Sequence, residues 1–274
     1  MSVAALTLPV VDGAAKYLSS THSPLYIAWA RYALACAFVV PVAMARYRTA
    51  ILPREQMRAH LLRTVFLVAA MSCYFLAIAR IPLATAISAF FVAPIIAMML
   101  AVVFLGEALT TLKIASLALG FGGALAILRP AGSIDPSLLL ALGAGGCFAL
   151  YMIATRQASR QSDPLKTLVF QCLLGTILLT PPAVWTWSTP SSGELWLFVA
   201  MGLVSACGHM LSITAFRYAQ ASTLAPLVYL ELLGSVAIGY LIFGDVPDAY
   251  VWLGALAIVL AGLILLRRAP AATA

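Results

Sequence analysis

The sequence predicts an all-α integral membrane protein, in which ten transmembrane helices form two five-helix repeats of inverted topology. The 274-residue chain is 64% hydrophobic and only 9% charged, whereas a soluble domain carries about 25% charged residues. The apolar residues fall in blocks of roughly 20, the length that a helix needs to cross a bilayer. The two halves of the chain also resemble each other in the order and spacing of their motifs.

Short polar connections with turn residues, such as "THSP" and "STPSSGE", separate the apolar blocks. None of them is long enough to form a soluble domain. The first block lacks the basic leader and small-residue cleavage site of a signal peptide, so it is predicted to be the first membrane helix. The predicted crossings are 2–20, 24–45, 61–80, 82–105, 112–128, 137–156, 165–187, 195–216, 221–243 and 249–266.

The distribution of basic residues predicts that both termini are cytoplasmic. With the N-terminus inside, the inner segments carry twelve Lys and Arg residues and the outer segments carry three, while Arg31 lies within the second crossing. An excess of basic residues marks the cytoplasmic side of a membrane protein. The five tryptophans then all fall at the outer ends of their helices, where they are expected to anchor the protein at the interface.

The repeat is visible in two matched segments. "HSPLYIAWARYALACAFVVP" (22–41) and "SDPLKTLVFQCLLGTILLTP" (162–181) share their proline spacing, and Lys16 matches Arg156 at the same offset of 140. Each half has five crossings, an odd number, so the second half must enter the membrane in the opposite sense. We expect repeats at 1–130 and 136–268. Repeats of this kind place a substrate site near the midplane between the halves and favour alternating access.

A few ionisable side chains lie at membrane depth, where such groups are rare and mark substrate or ion pathways. Glu231 lies near the middle of the ninth crossing, and Asp12 lies midway along the first, one turn from Lys16. The eighth crossing carries a polar stripe at helical spacing. Its residues are Ser205, His209 and Ser212.

Each candidate also has a structural interpretation. Asp12 and Lys16, four residues apart, could neutralise each other. His209 could be a hydrogen-bonded packing histidine, and Glu231 a glutamate held between helices. Arg31 is expected to be a structural residue whose side chain extends to the outer surface.

Prolines and aromatic residues supply the remaining candidates. Pro94, in the fourth crossing, and Pro226, in the ninth, each free a backbone carbonyl and allow a kink, so both helices could bend around a central cavity. Aromatic side chains near them could line an apolar wall, with core packing as the alternative. They are Tyr74, Phe90, Phe91 and Tyr229.

Several functional classes find no support in the sequence. The five cysteines lie inside apolar blocks without a CxxC or metal-ligand spacing, so no metal or cofactor is expected. The basic residues form no patch with interleaved aromatics, so no nucleic acid is expected either. HExxH is absent, as is the GxGD motif of intramembrane aspartyl proteases. An enzyme is therefore not expected, although an intramembrane enzyme is kept as the alternative from a different class.

These residues together resemble a known family. The two five-helix halves, "ARY" in the second helix, "LE" in the ninth and the pairs Gly106-Glu107 and Gly244-Asp245 are similar to the EamA branch of the drug/metabolite transporter superfamily, and within it to the YddG-type amino-acid exporters. The resemblance implies a ten-helix bundle in the bacterial inner membrane that exports small metabolites through a cavity between its halves. The Glu-Pro pair common in this family is split here, since one half has Ala93-Pro94 and the other Glu231-Leu232.

The leading hypothesis is a secondary transporter that exports amino acids, aromatic and neutral ones with broad specificity, and that acts as a monomer in the lipid bilayer. A zwitterion needs an acceptor for its ammonium group, for which Glu231 or Asp12 is suited. It also needs donors for its carboxylate, for which the candidates are His209, Lys16 or freed backbone groups. Export of drugs or of other metabolites, such as purines or sugar derivatives, is the alternative within transport.

Overall fold

The computed structural model describes residues 1–81, 83–128, 136–238 and 249–266, which form helices joined by turns, without a strand. Five of the helices are long and apolar enough to cross a membrane. The predicted all-α fold is thus confirmed. In chain order the helices are α1 (Ser2–Thr7), α2 (Pro9–Leu18), α3 (Pro24–Tyr47), α4 (Met57–Ile78), α5 (Leu83–Phe90), α6 (Ala93–Leu105), α7 (Thr111–Leu128), α8 (Pro136–Ser159), α9 (Pro164–Trp185), α10 (Ser192–Tyr218), α11 (Ala221–Leu224), α12 (Leu230–Ile238) and α13 (Ala249–Leu266), with a 3-10 segment (Ala225–Tyr229) between α11 and α12.

Within the described residues, three crossings consist of more than one helical piece. The first is α1 with α2, the fourth α5 with α6, and the ninth α11 with the 3-10 segment and α12. Pro9, Pro94 and Pro226 each lie in the first turn of a new piece, where a missing N–H costs nothing. The prediction that Pro94 lies in mid-helix is therefore corrected. Proline alone does not break a crossing, because Pro41 and Pro181 lie inside continuous helices.

The packing of the helices repeats across the two halves. α4 of the first half packs against α8 of the second. Its counterpart α10, in the second half, packs against α1 and α2 of the first, which correspond to α8. Likewise α5 and α6 pack against α8, while α12 packs against α1 and α2. The pairs α3–α9 and α7–α13 join counterparts directly. Such an exchange of partners is what inverted-topology repeats are expected to show.

The matched basic residues of the two halves perform the same structural task. The Lys16 ammonium donates to the carbonyl oxygen of Ile78, the last residue of α4. The Arg156 guanidinium donates to the carbonyl oxygens of Phe216 (2.8 Å) and Arg217 (3.1 Å) near the end of α10. Cations stabilise the free carbonyls and negative dipole of a helix C-terminus. Lys16 therefore stabilises the end of α4, and this hydrogen bond goes to a backbone carbonyl and not to Asp12.

One end of the bundle is held by a carboxylate that reaches from the first half to the second. Gly106 ends α6 in the left-handed conformation (φ 62°), which suits glycine. The next residue, Glu107, accepts hydrogen bonds from the backbone N–H groups of Ala221 (3.0 Å) and Ser222 (2.9 Å) and from the Ser222 hydroxyl (2.5 Å). Lys113 donates to the same hydroxyl oxygen at 2.8 Å. Gly244 and Asp245, the counterparts of Gly106 and Glu107, lie outside the described part of the chain.

The opposite end is also tied between the halves. Thr21, just after α2, donates to the Glu194 carboxylate at 2.8 Å, and the His22 ring is hydrogen-bonded to the Ser188 hydroxyl. Glu194 lies in the first turn of α10, where it forms a capping box with Ser191. The start of α10 is thus fixed to the turn between α2 and α3.

Two glycines let helices approach closely. An ideal Cβ on Gly145 of α8 would lie 2.7 Å from the Phe90 carbonyl oxygen at the end of α5. One on Gly123 of α7 would lie 2.7 Å from the Gly254 carbonyl oxygen of α13. Small residues at such points allow the close backbone contact on which membrane helix packing depends.

Candidate functional site

A cavity lies between the two halves, next to the breaks in the first, fourth and ninth crossings. Its volume is about 40 Å³, room for a few water molecules at roughly 10–15 Å³ each. This volume is too small for an organic metabolite, so a ligand of that size requires the surrounding helices to separate.

Four ionisable side chains line this cavity, two from each half. Asp12 (α2) and Arg31 (α3) come from the first half, and His209 (α10) and Glu231 (α12) come from the second. Asp12 is within electrostatic reach of both Arg31 and Glu231. Three of these four were candidates from the sequence, and the structure brings them to one place although they are far apart along the chain.

The break in the ninth crossing sets the position of Glu231. The sequence predicts this residue near the middle of a continuous helix. Instead, the 3-10 segment Ala225–Tyr229 ends just before it, so Glu231 lies in the first turn of α12. The N-terminal turn of a helix carries free N–H groups and a positive partial charge that stabilise a carboxylate. Here the 3-10 segment runs directly into α12 and the Leu230 N–H is already bonded to its carbonyl oxygens, so the break sets the position of Glu231 on the cavity wall and adds no free helix end.

Aromatic rings form the apolar part of the cavity wall. Tyr74, Phe90 and Phe91, all candidates from the sequence, line the cavity. Phe148 also lines it and was not a candidate. Phe90 contacts both Tyr74 and Phe148, with ring centroids 5.1 Å apart in each pair. Such a surface suits the ring or aliphatic part of a small molecule.

Tyr229 lies behind this wall and does not line the cavity. It is fully buried, and its ring meets Phe91 edge-on, with centroids 5.5 Å apart. Its hydroxyl donates to the Phe91 carbonyl oxygen at 3.3 Å, at the break in the fourth crossing. Backbone groups freed inside a membrane protein must find such partners, so the ninth crossing supports the break in the fourth.

The remaining sequence candidates also lie outside the cavity lining. Lys16 is bonded to the end of α4, as described above. Ser212, 5% exposed, has its hydroxyl 3.7 Å from the Met1 sulfur. Pro94 and Pro226 flank the site through the backbone breaks they accompany.

Arg31 is the residue that the sequence placed wrongly. The expectation was a side chain extending to the outer surface, but Arg31 is 2% exposed and lines the cavity. Its guanidinium carbon lies 4.8 Å from the Tyr32 ring centroid and 5.6 Å from that of Phe75. The physical reason is the packing of α3, which contacts α4, α9 and α10 and so leaves this face no route to the surface.

A second buried arginine is fully bonded. Arg63, with no exposed surface, donates to the Gln171 side-chain oxygen (2.7 Å), the Thr155 hydroxyl (3.2 Å) and the Thr167 carbonyl oxygen (3.4 Å). It thereby fixes α4 to α8 and α9. Among the described residues, no three His, Cys, Asp or Glu side chains converge as metal ligands would.

Comparisons with known proteins identify the family of this chain and a solved structure of the same fold. A sequence model described as "EamA-like transporter family" matches residues 2–129 and 135–267. A solved crystal structure shares the fold, with a TM-score of 0.82 at 18% identity over 98% of this chain and 97% of its own.

Three curated relatives are similar over most of their length. A riboflavin transporter of Vibrio cholerae is 28% identical over 95% of this chain and 89% of its own. An S-adenosylmethionine uptake transporter of Rickettsia conorii is 28% identical over 90% and 84%. The pseudopaline exporter CntI of Pseudomonas aeruginosa is 28% identical over 97% and 94%.

Proposed function

The chain belongs to the EamA-like transporter family, and from this premise we propose that it is a secondary carrier that exports amino acids from the cytoplasm by alternating access. Aromatic and neutral amino acids are the first candidates, with broad specificity. The family relatives are transporters and not enzymes, and the chain is a multi-pass membrane protein. The relatives' names cover three other metabolites and both directions of transport. The substrate class is therefore argued from the site, and the direction from the resemblance of the sequence to exporters.

The observation that carries the proposal is the composition of the cavity. Acidic and basic side chains line it beside an aromatic wall, and no direct ion pair joins Asp12 to Arg31 within the described residues. An amino acid offers an ammonium group, a carboxylate and a side chain. Asp12 and Glu231 suit the ammonium group, and Tyr74, Phe90 and Phe148 suit an apolar or aromatic side chain.

A second candidate is a larger metabolite that combines charge with a ring. The names of the relatives favour this possibility, because S-adenosylmethionine carries an α-amino-acid group and an aromatic base, and riboflavin carries a fused ring. The same wall and carboxylates would serve such a molecule once the helices separate. Drugs and other small metabolites remain in this second class.

Reconstitution tests both candidates. Purified protein in liposomes would be offered a panel of labelled amino acids, S-adenosylmethionine and riboflavin, with and without a pH gradient. Saturable uptake with counterflow of an aromatic or neutral amino acid is the expected result. Counterflow of only the larger metabolites would contradict the amino-acid proposal and leave a carrier, whereas unsaturable flux would indicate a channel.

The membrane arrangement is part of the proposal. Repeats at 1–130 and 136–268 cross the bacterial inner membrane as one functional monomer, with both termini cytoplasmic, as the twelve-to-three basic bias supports. In a background without native cysteines, Arg54→Cys should react with an impermeant maleimide only after permeabilisation. Thr189→Cys, in the turn between α9 and α10, should react in intact cells. The reverse pattern would overturn the topology.

Pro94→Ala is expected to slow transport more than it lowers stability. The proline holds the start of α6 apart from α5, and alanine would let the two pieces join into one helix that resists bending. A change of only about 0.4–1 kcal/mol in the free energy of unfolding is expected from backbone entropy. Initial uptake rates and thermal unfolding midpoints would be compared with Pro41→Ala, whose proline lies on an exposed face inside continuous α3. An unchanged uptake rate with a lowered unfolding midpoint in Pro94→Ala would show that Pro94 contributes only to packing.

A further inference from the structure

We propose that Arg31 is the anion-binding group of the cavity and that substrates must carry a carboxylate or a comparable anion to bind. This inference rests on the proposed function, because it assigns one part of the transported molecule to a residue of the same site. It also narrows the substrate class, since amines and neutral ring compounds without an anionic group would bind poorly.

The first argument is the hydrogen-bonding state of the guanidinium group. Arg31 is 2% exposed, and its Nε and Nη2 atoms have no hydrogen-bond partner within the described part of the chain. A buried donor without an acceptor is costly, and a buried charge more so. Such a group persists where function requires it, and a ligand that enters when the helices separate would supply the missing acceptor.

Arg63 provides an internal comparison. It is also completely buried, yet it bonds to Thr155, Thr167 and Gln171 through three of its nitrogens. The same chain therefore satisfies an arginine that joins helices. In the same bundle, Nε and Nη2 of Arg31 have no acceptor among the described residues. This difference indicates that Arg31 does not serve to join helices as Arg63 does.

Aromatic rings are the main surroundings of the Arg31 side chain. The guanidinium lies near the rings of Tyr32 and Phe75, and cation–π contact engages its face. The N–H groups point outward in the guanidinium plane, in the fork that matches a carboxylate. The rings thus orient the group and leave Nε and Nη2 without an acceptor in the described part of the bundle while the helices are closely packed.

A neighbouring donor extends the subsite. His209, 6% exposed, also lines the cavity, and its Nε2 atom has no hydrogen-bond partner among the described residues. Asp12 interacts electrostatically with Arg31, but the two side chains, both described by the structure, do not form an ion pair. The cavity wall thus offers both an acceptor and donors, which recognition of a molecule with both charges requires.

Matched ligand pairs test the subsite. Phenylalanine would be compared with phenylalaninamide, and phenylacetate with phenylacetamide, by thermal stabilisation of the purified protein. Each pair differs in the carboxylate and keeps the ring. We expect the acids to bind the wild type about tenfold more tightly than the amides, as one charge-assisted contact implies. Arg31→Gln should abolish this preference.

Two further variants make the result decisive. Arg31→Lys keeps the charge but loses the planar fork, so it should show a reduced preference, and it serves as the test if Arg31→Gln does not fold. Arg80→Gln removes an exposed arginine after α4 and should bind as the wild type does. Absence of any carboxylate preference in the wild type would overturn the proposal, as would a full preference in both Arg31 variants.

The two proposals can fail separately. Preferential binding of phenylacetate without binding or transport of any amino acid would support the anion subsite and reject the amino-acid function. Transport of amino acids with equal discrimination by wild type and Arg31→Gln would support the function and reject the role of Arg31.

Discussion

Glu231→Gln is expected to lower the initial rate of substrate transport at least tenfold while the protein remains folded. A charge at the centre of a membrane helix costs about 2.5–3.5 kcal/mol on insertion scales, so the neutral variant should be at least as stable as the wild type. A hydrogen bond to a charged group contributes about 1.5–3 kcal/mol, and each 1.4 kcal/mol corresponds to about tenfold in affinity. Loss of that contact to a substrate ammonium group gives the expected effect.

Glu55→Gln is the matched control, because it makes the same substitution at an exposed position before α4. Uptake into proteoliposomes would be measured for both variants across the neutral pH range, beside thermal unfolding midpoints. A Glu231→Gln protein that folds and transports like the wild type at every pH would show that the carboxylate is structural.

Gly145→Ala is expected to lower the free energy of unfolding by about 1–3 kcal/mol, the usual cost of overpacking a closely packed site. The added methyl group would lie 2.7 Å from the Phe90 carbonyl oxygen and 3.0 Å from a Val92 methyl carbon. The first of these atoms is backbone and cannot rotate away. α8 would therefore be pushed from the break between α5 and α6, where the cavity wall begins.

The same helix supplies two controls. An ideal Cβ on Gly143 or Gly146 meets no atom within 4 Å, and alanine is a better helix former than glycine by about 0.5–1 kcal/mol. Gly143→Ala and Gly146→Ala should therefore leave the thermal midpoint unchanged or raise it. Equal shifts in all three variants would show that helix propensity, and not close approach, determines the effect.

Much of the fold was accessible from the sequence because the bilayer imposes long apolar blocks. The tenth crossing, predicted at 249–266, coincides with α13 (Ala249–Leu266). The third was predicted to begin at 61, but α4 begins at Met57. The difference arises because His60 and Arg63 are buried through bonds to residues near α8 and α9, which a hydropathy pattern does not reveal.

The broken crossings were only partly predictable. Proline identifies where a backbone bond is missing, but tertiary contacts decide whether the helix separates there. At the break in the fourth crossing, the Tyr229 hydroxyl donates to the Phe91 carbonyl oxygen. Pro41, by contrast, lies in a helix that continues past it. Sequence alone does not show which freed carbonyl has a partner.

The same limit applies to the site. Asp12, His209 and Glu231 were identifiable because ionisable groups at membrane depth are costly and need a reason. Arg31 was correctly placed within the second crossing, but the direction of its side chain was not predictable, since a long side chain can turn to the surface or to the interior. Phe148 carried no signal that distinguished it from other aromatic residues in apolar helices.

The contacts at the two ends of the bundle bear on how leakage is prevented. Glu107 ties the halves at one end through Ala221 and Ser222, and Thr21 ties them at the other through Glu194. If the hydrogen bonds at one end break while those at the other remain, the closed end would hold the two halves together and block the path across the membrane. Opening both ends at once would break both sets of hydrogen bonds, whereas opening one end breaks only one set. If the protein is an alternating-access carrier, these contacts at opposite ends would therefore disfavour a continuous pore and the ion leakage that it allows.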